Sequence, residues 1–577
     1  MAVQTQLNDN QARAAHAGNG PLLIVAGPGT GKTKTLSARI AYLVREGRAQ
    51  PEQILALTFT KKAAEEMRER VRMLLRAEGR APQTLPYIST FHALCHELLG
   101  GELTFASDAQ RTALIKQLDK PAPFKRLSPR ELGLLISRAK NKAEDDAELF
   151  KLVARYDMAL NELGLVDFDD LLLRAHQLLA EDDAARKRIQ ARFTHILVDE
   201  FQDTNRLQYD LLQLLRGTDN LFVIGDPLQS IYGFRGASGG IFEQFRSDFP
   251  AAAAIELDTN YRSTPEIVRL SNALFPAAPN LRAHAERPGQ VRAVQVLNEY
   301  SEAAWVVAEI QKAIGGGDML RAVSDDDAGL HHALKDFAIL YRSRSAAAAV
   351  QKAVADSGLP YQVVGEGSPY DQPRVQALIA LLRGAVGHES PQLEGFSPSQ
   401  QAAVRDLLGD TSGIVPLALA EKSMQLLGFE PSSSLQQFLG SLVRFKTLDE
   451  AVTHFDALAE TNFYDPAADA ITLLTIHASK GLEFAHVFLI AAEEGVLPHA
   501  KADLEEEKRL FYVAVTRAKD ALDSTYATKR GGEPAVPSRF ITDLPQDVLP
   551  RQTDPNLAAD QRRAGKRAAK RSQQTLF

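Results

Sequence analysis

The chain has 577 residues, 45% of them hydrophobic and 24% charged, with a net charge of −7 and a single cysteine, Cys95. That length asks for roughly three to five domains or subdomains, and one thiol excludes an internal disulfide framework. No apolar run is long enough to cross a bilayer and MAVQTQLNDN lacks the apolar stretch of a signal peptide, so a reducing, cytoplasmic setting is expected, with any nucleic-acid binding left to local basic surfaces.

Taken in chain order, the first informative element is Leu22-Leu23-Ile24-Val25, an apolar run that reads as a buried strand. It breaks into Ala26-Gly27-Pro28-Gly29-Thr30-Gly31-Lys32-Thr33 and then a helical pattern. Backbone N–H groups in such a loop converge on phosphates, Lys32 adds a point charge near the β and γ phosphates, and Thr33 offers a hydroxyl to Mg²⁺. Ala26 stands where the strict pattern has Gly, but Gly29 and Gly31 keep the tight backbone. The expected ligand is a nucleoside triphosphate.

From about 96 to 182 the text is helical and charged, which reads as an insertion within the first nucleotide-binding lobe. His195-Ile196-Leu197-Val198 then forms a short strand ending in Asp199-Glu200. Carboxylates there suit a Walker B site, with Asp199 on Mg²⁺ and Glu200 polarising the attacking water. Leu221-Phe222-Val223-Ile224 ends in Gly225-Asp226-Pro227-Leu228-Gln229, again setting polar groups at a strand end, where open α/β sheets gather ligands. Strand-like runs recur at 337–341, 471–476 and 487–490, predicting a second α/β lobe without its own phosphate loop. Between about 375 and 465 the pattern is helical and Ser/Pro/Gly-punctuated.

Ten segments stand in order: LNDNQARAA (7–15), AGPGTGKT (26–33), TFTKKAAEEM (58–67), STFHALC (89–95), DFDDLL (167–172), VDEFQDTN (198–205), VIGDPLQSIYGFRGA (223–237), LDTNYRST (257–264), TIHASKGLEF (475–484) and EEEKRLFYVAVTRAKD (505–520). Together they resemble the UvrD/Rep-type superfamily 1 DNA helicases. The resemblance implies two RecA-like P-loop motor lobes with parallel sheets, each carrying a mostly helical insertion. The first lobe is expected at 1–95 and 183–257, with its insertion at 96–182. The second is expected at 258–374 and 466–545, with a short insertion at 375–465, and a flexible basic tail at 546–577.

For the nucleotide, the resemblance implies Gln11 on the adenine edge, Tyr261 against one face of the base, and Lys34 where relatives commonly place a covering Arg. Glu483 is expected at the ribose, Gln229 as the γ-phosphate sensor, and Arg262 and Arg517 as two arginines donated from the second lobe. ATP and Mg²⁺ are the implied cofactors, and closure of the cleft on ATP is the implied motor stroke. For single-stranded DNA, the implied base-stacking residues are Phe59, Tyr232 and Phe234, with His92, Arg235 and His477 near the strand. Phe234 replaces the usual Trp, and Lys61 the usual Asn.

The implied activity is ATP-dependent 3′–5′ unwinding, with repair or replication restart as its setting and 3′-tailed duplexes among its partners; the polarity comes from the resemblance alone. A single-stranded-DNA translocase that strips proteins and unwinds poorly without a partner is the nearer alternative. A nucleotide-switched binder without hydrolysis is the more distant one. Arg562, Arg563, Lys566, Arg567, Lys570 and Arg571 make the tail basic, which reads as a solubilising segment or as DNA-backbone attraction. Its last residues, Gln573-Gln574-Thr575-Leu576-Phe577, resemble a peptide that docks on the bacterial sliding clamp.

Overall fold

The computed structural model describes residues 7–77, 84–144, 146–233, 236, 240–315, 332–365, 370, 372–387, 396–409, 411, 413–460 and 464–557. It forms two compact units, Met1–Gly289 with Ala502–Thr516, and Gln290–Lys501 with Arg517–Phe577.

The first unit is built on six parallel strands: β1 (Leu22–Ala26), β2 (Ile54–Thr58), β3 (Tyr87–Thr90), β4 (His195–Val198), β5 (Leu221–Gly225) and β6 (Ala253–Leu257). Their order is β3-β2-β4-β5-β1-β6, with Leu22 opposite Phe222 and Ile54 opposite His195. Helices cover both faces, which is why the central strands read as unbroken apolar runs. Leu22, Ile24, Ile54 and Ala56 face Leu36, Ile40, Met67 and Val71 on one side. Leu23, Leu55, Leu57, Ile196 and Val198 face Leu171, Phe201 and Leu207 on the other. The alternation follows from the two-residue repeat of a strand. A short parallel pair, β7 (Thr259–Asn260) with β8 (Arg282–Ala283), completes this unit.

The second unit holds seven parallel strands: β9 (Gln290–Val296), β10 (Phe337–Tyr341), β11 (Tyr361–Val364), β12 (Ile471–Thr475), β13 (Phe484–Leu489), β14 (Ala518–Ala527) and, after the hairpin of β15 (Lys529–Arg530) and β16 (Glu533–Pro534), β17 (Arg551–Thr553). The order is β11-β12-β10-β13-β14-β9-β17. Both sheets have the RecA-like plan expected from the sequence.

Each unit also carries a bundle of helices with a core of its own. Leu132, Ile136, Leu149, Leu152, Tyr156 and Leu160 pack together in the first, and Val375, Leu378, Leu419, Phe438, Val452 and Phe455 in the second. In the first bundle the buried ammonium of Lys140 is held by Asp157, Asp167 and Asp170 at 2.7, 2.9 and 2.7 Å.

Two boundaries fall elsewhere than the sequence suggested. The first unit runs on past residue 257 to Gly289 and recovers 502–516, which includes the helix Leu504–Val515. Hydrogen bonds cause this: Arg509 Nε donates to the Ser230 carbonyl at 2.9 Å, and Gly233 N to Glu506 at 3.2 Å. The tail, expected to be flexible from residue 546, instead contributes β17, which pairs with β9. The basic cluster and Gln573, Leu576 and Phe577 lie outside the described residues.

Candidate active site

The phosphate loop leaves β1 at Ala26 and enters the helix Lys32–Arg45. Gly29 and Gly31 have φ of +68° and +83°, a region that L side chains rarely enter. A Cβ on Gly29 would stand 2.7 Å from Arg262 Cβ, so bare glycine also lets the segment around Arg262 approach. Gly31 gives the helix no side-chain cap.

Five successive carbonyls of this loop are taken from within the unit. Ala26 O accepts from Lys32 Nζ (3.3 Å), Gly27 O from Thr30 Oγ1 (2.7 Å), and Pro28 O from Asn260 Nδ2 (2.9 Å). Gly29 O accepts from Tyr261 N (2.9 Å) and Thr30 O from Gln11 Nε2 (2.9 Å). With its acceptors occupied, the loop has N–H groups to offer, at the positive end of a helix. That arrangement binds anions.

Beside the loop, β4 delivers Asp199 and Glu200. Asp199 is buried, and its carboxyl is pushed up to about 7, first by burial and then by Glu200, with Lys32 pulling the other way. Glu200 has φ +50°, a strained setting for a side-chain-bearing residue and one that clusters at functional sites. Its carboxylate accepts from Gln202 Nε2, while Gln202 Oε1 accepts from Asp226 N at 2.9 Å. Asp226 is raised by burial, opposed by Lys32, and accepts from Gln229 Nε2 at 2.9 Å. A Cβ on Gly225 would meet Gln202 Oε1 at 2.3 Å, so that glycine makes room for the amide.

The segment after β6 closes the other side of the loop. Asn260, 2% exposed, accepts from Arg262 N and Ser263 N, both at 2.8 Å, as its amide donates to Pro28. Arg262 Nη1 donates to Thr516 O at 3.1 Å. Tyr261 takes a hydrogen bond from Asn8 Nδ2 (2.8 Å) and packs on His284. Arg262 was expected from the second lobe; it stands instead in the compact unit that holds Lys32, because Asn260 and Tyr261 fasten it to the loop. Lys34, on the helix after the loop, has its ammonium lowered by burial and by Arg70.

On the same unit Phe59, 39% exposed, stacks on Tyr232 with centroids 5.4 Å apart and planes 10° from parallel. His92 lies 6.3 Å from the exposed ring of Phe168 and is held below its ordinary pKa by burial, against Asp169. Phe234 and Arg235 lie outside the described residues.

In the second unit, Arg517 is buried and donates to Leu482 O at 3.1 Å, while its carbonyl accepts from Phe484 N at 3.0 Å. Glu483 pairs with Lys519 at 2.8 Å. His477 follows β12, in the turn closed by Ser479 Oγ on Ile476 O at 2.7 Å.

Sequence reasoning missed Gln202 and Asn260 as site residues. Both stand inside quoted segments, and the available signal was a carboxamide next to a strand-end acid or arginine.

Among the described residues no group of three or more His, Cys, Asp or Glu could hold a metal. The groups expected at a cation are a buried carboxylate, Asp199, and the hydroxyl of Thr33 at the start of the helix Lys32–Arg45. The acid is short of compensating charge, which fits a hard cation that takes its remaining ligands from water and substrate phosphate.

A Gly-rich loop at one strand end, with a buried aspartate and a half-buried glutamate just past the end of a second parallel strand, defines a P-loop nucleotide-binding unit. Comparison with known proteins takes this further. The UvrD/REP helicase N-terminal domain matches residues 7–250, and the UvrD-like helicase C-terminal domain matches 255–390 and 427–529. The ATP-dependent DNA helicase PcrA of Bacillus subtilis (strain 168) is 31% identical over 653 residues, spanning 94% of this chain and 86% of that protein. PcrA of Staphylococcus epidermidis is 30% identical, spanning 96% and 88%. The chain belongs to the UvrD/Rep helicase family. No helix among the described residues is long and apolar enough to cross a membrane.

Proposed function

We propose that this protein is an ATP-dependent 3′–5′ DNA helicase that moves along single-stranded DNA and unwinds duplexes in repair or replication restart. The observation that carries the reading is the buried Asp199, raised by burial and by the half-buried Glu200 and opposed chiefly by Lys32, beside a loop whose carbonyls from Ala26 to Thr30 are engaged. Such a site is completed by a triphosphate that arrives with a cation.

In this reading Lys32 meets the β and γ phosphates and the loop N–H groups hold the chain of phosphates. Thr33 and Asp199 hold Mg²⁺, which when bound neutralises charge on the phosphate oxygens. Glu200, fixed by Gln202, takes the proton side of the attacking water, and Gln229 answers to the γ-phosphate through Asp226. Arg262 and Arg517 stabilise charge on the transferring group. Gln11 reads the adenine edge, Tyr261 and Lys34 flank the base, and Glu483 meets the ribose. A γ-phosphate bound more tightly by one arrangement of the two units than by another supplies the differential affinity that drives motion. Phe59, Tyr232 and Phe234 stack on bases, and His92, Arg235 and His477 contact the strand. The relatives' names support ATP and DNA as ligands, and a cytoplasmic, nucleoid-bound location follows from the same reading. The tail reaches the sliding clamp through Gln573, Leu576 and Phe577; clamp capture unchanged by deleting 573–577 would remove that contact.

The test is ATP turnover titrated with oligo(dT), run beside unwinding of 3′- and 5′-tailed duplexes. Stimulated turnover with unwinding of the 3′-tailed substrate alone is expected, and unwinding from the 5′ tail refutes the polarity. Stimulated turnover without unwinding selects the translocase reading. That alternative is favoured by residues 391–426, which the C-terminal family domain leaves unmatched.

A further inference from the structure

The helix Asp9–Ala15 that carries Gln11 is seven residues long, too short to persist on its own in water. Its buried apolar surface is two alanines, Ala14 and Ala15, which bury little area. Its placement therefore depends on polar anchors. At the N-terminal end these are the Asn8 cap and the bond from Asn8 to Tyr261. At the C-terminal end the anchor is Arg39, which comes from the phosphate-loop helix Lys32–Arg45.

Arg39 is 4% exposed. Its Nη1 donates to the carbonyls of Ala15 (3.2 Å) and Ala17, and its Nη2 to the carbonyl of Gly18 (2.9 Å). The last carbonyls of a helix are orphaned acceptors with partial negative charge, and a planar cationic fork satisfies several at once. Burial draws the guanidinium down to about 10, with Tyr42 opposing and Arg48 adding to the shift. The interaction is thus a buried cation on backbone oxygens.

What this anchor controls is the depth of Gln11. The Gln11 side chain accepts from Asn8 N (3.1 Å) through Oε1 and donates to Thr30 O (2.9 Å) through Nε2. A Cβ on Gly31 would stand 2.8 Å from that Nε2, so the amide already lies against the loop. One N–H and one lone pair remain for a ligand, the pair that N7 and the 6-amino group of adenine require.

We infer that Arg39 is a positioning residue for base selection: by pinning the end of the Gln11 helix to the phosphate-loop helix, it sets the amide where it separates adenine from a purine lacking the 6-amino group. This rests on the reading of Gln11 given above. The test compares kcat and KM for ATP and ITP, with saturating oligo(dT), in the full chain and in Gln11→Ala, Arg39→Lys, Arg39→Gln and Gln11→Ala/Arg39→Gln. The parent should prefer ATP by ~10- to 100-fold, and Gln11→Ala should cut this to ~3-fold or less. Both Arg39 variants should lose most of the preference through a raised KM for ATP, with kcat held within ~2-fold, and the double variant should be no worse than Gln11→Ala. Lysine belongs in the set because it keeps the charge but not the fork, and it carries the comparison if Arg39→Gln does not fold. A parent-like ratio in the folded Arg39 variants, or KM rising equally for both nucleotides, overturns the inference while leaving Gln11 its role. A parent-like ratio in Gln11→Ala overturns both.

Discussion

The two sheets follow one plan but treat one buried aspartate each, Asp523 and Asp199, in opposite ways. In the second unit Asp523, on β14, is driven upward by burial, yet His486 (2.8 Å) and Arg292 (2.5 Å) hold it below the ordinary carboxylate range. Glu302 and Glu493 share the guanidinium of Arg530, at 2.7 and 2.5 Å, although burial still leaves Glu302 above its ordinary range. In the first unit Asp199 sits at about 7 and Asp226 is also raised, with Lys32 the main cation pulling on either. Acids that hold a fold together are neutralised inside it. Acids left short of charge at the end of a strand wait for a ligand, and perturbed groups of this kind gather at working sites.

The largest expected effects test the uncompensated side. Lys32→Ala should abolish turnover, and Glu200→Gln should lower kcat by ~10³-fold while fluorescent nucleotide still binds. Hydrolysis by Glu200→Gln near the parent rate would remove Glu200 from the chemistry. Stability then separates the two units. Asp523→Ala leaves Arg292 with Glu309 (2.6 Å) as its remaining carboxylate and should cost about 1–3 kcal/mol in denaturant unfolding. Asp199→Asn should raise the Tm of the nucleotide-free protein by about 2–4 °C at pH 8, although it kills turnover. The signs differ with pH. The lowered Asp523 contributes stability that is whole above its unfolded value near ~4 and fades as pH falls through the folded value. The raised Asp199 destabilises progressively as pH climbs from ~4 towards about 7, so the gain from Asp199→Asn should shrink at pH 5. An equal gain at both pH values would break the comparison.

A smaller effect is expected at Gln202. Gln202→Met removes the amide between Glu200 and Asp226, and kcat should fall ~10- to 100-fold with KM for ATP unchanged, as for a small misplacement of a catalytic group. A matched rise in KM would instead mark a residue that shapes nucleotide binding. This residue also shows where reading the chain stops. The phosphate loop, the strands ending at Ala26 and Val198, and the acids after them were legible because their signals are local: apolar runs, glycines at φ-demanding positions, charges at strand ends. The contacts of Gln202 were not, since they join residues 24 positions apart across two strands. Arg262 was misplaced for the same reason. Its unit is decided by Asn260 bonding to Pro28, 232 residues away, and no periodicity around NYRS records that. The helix Leu504–Val515 looks like part of its sequence neighbours until Arg509 and Glu506 are seen holding the Ser230–Gly233 loop.

That loop carries the smallest effect worth measuring. Tyr232 lies in it, stacked on the half-exposed Phe59, which β2 presents just beyond its last residue, Thr58. If the pair is a stacking platform for bases, Phe59→Ala should weaken oligo(dT) binding by ~10-fold, within the 1–3 kcal/mol typical of one base–aromatic contact. The slope of log Kd against log salt should not move, because no phosphate contact has been lost. Lys61→Ala, two residues on, is the control with the opposite signature: a shallower salt slope and a smaller loss at low salt. Binding by Phe59→Ala at parent strength would return the Phe59–Tyr232 pair to ordinary packing, and the DNA track would then have to be sought elsewhere on this unit.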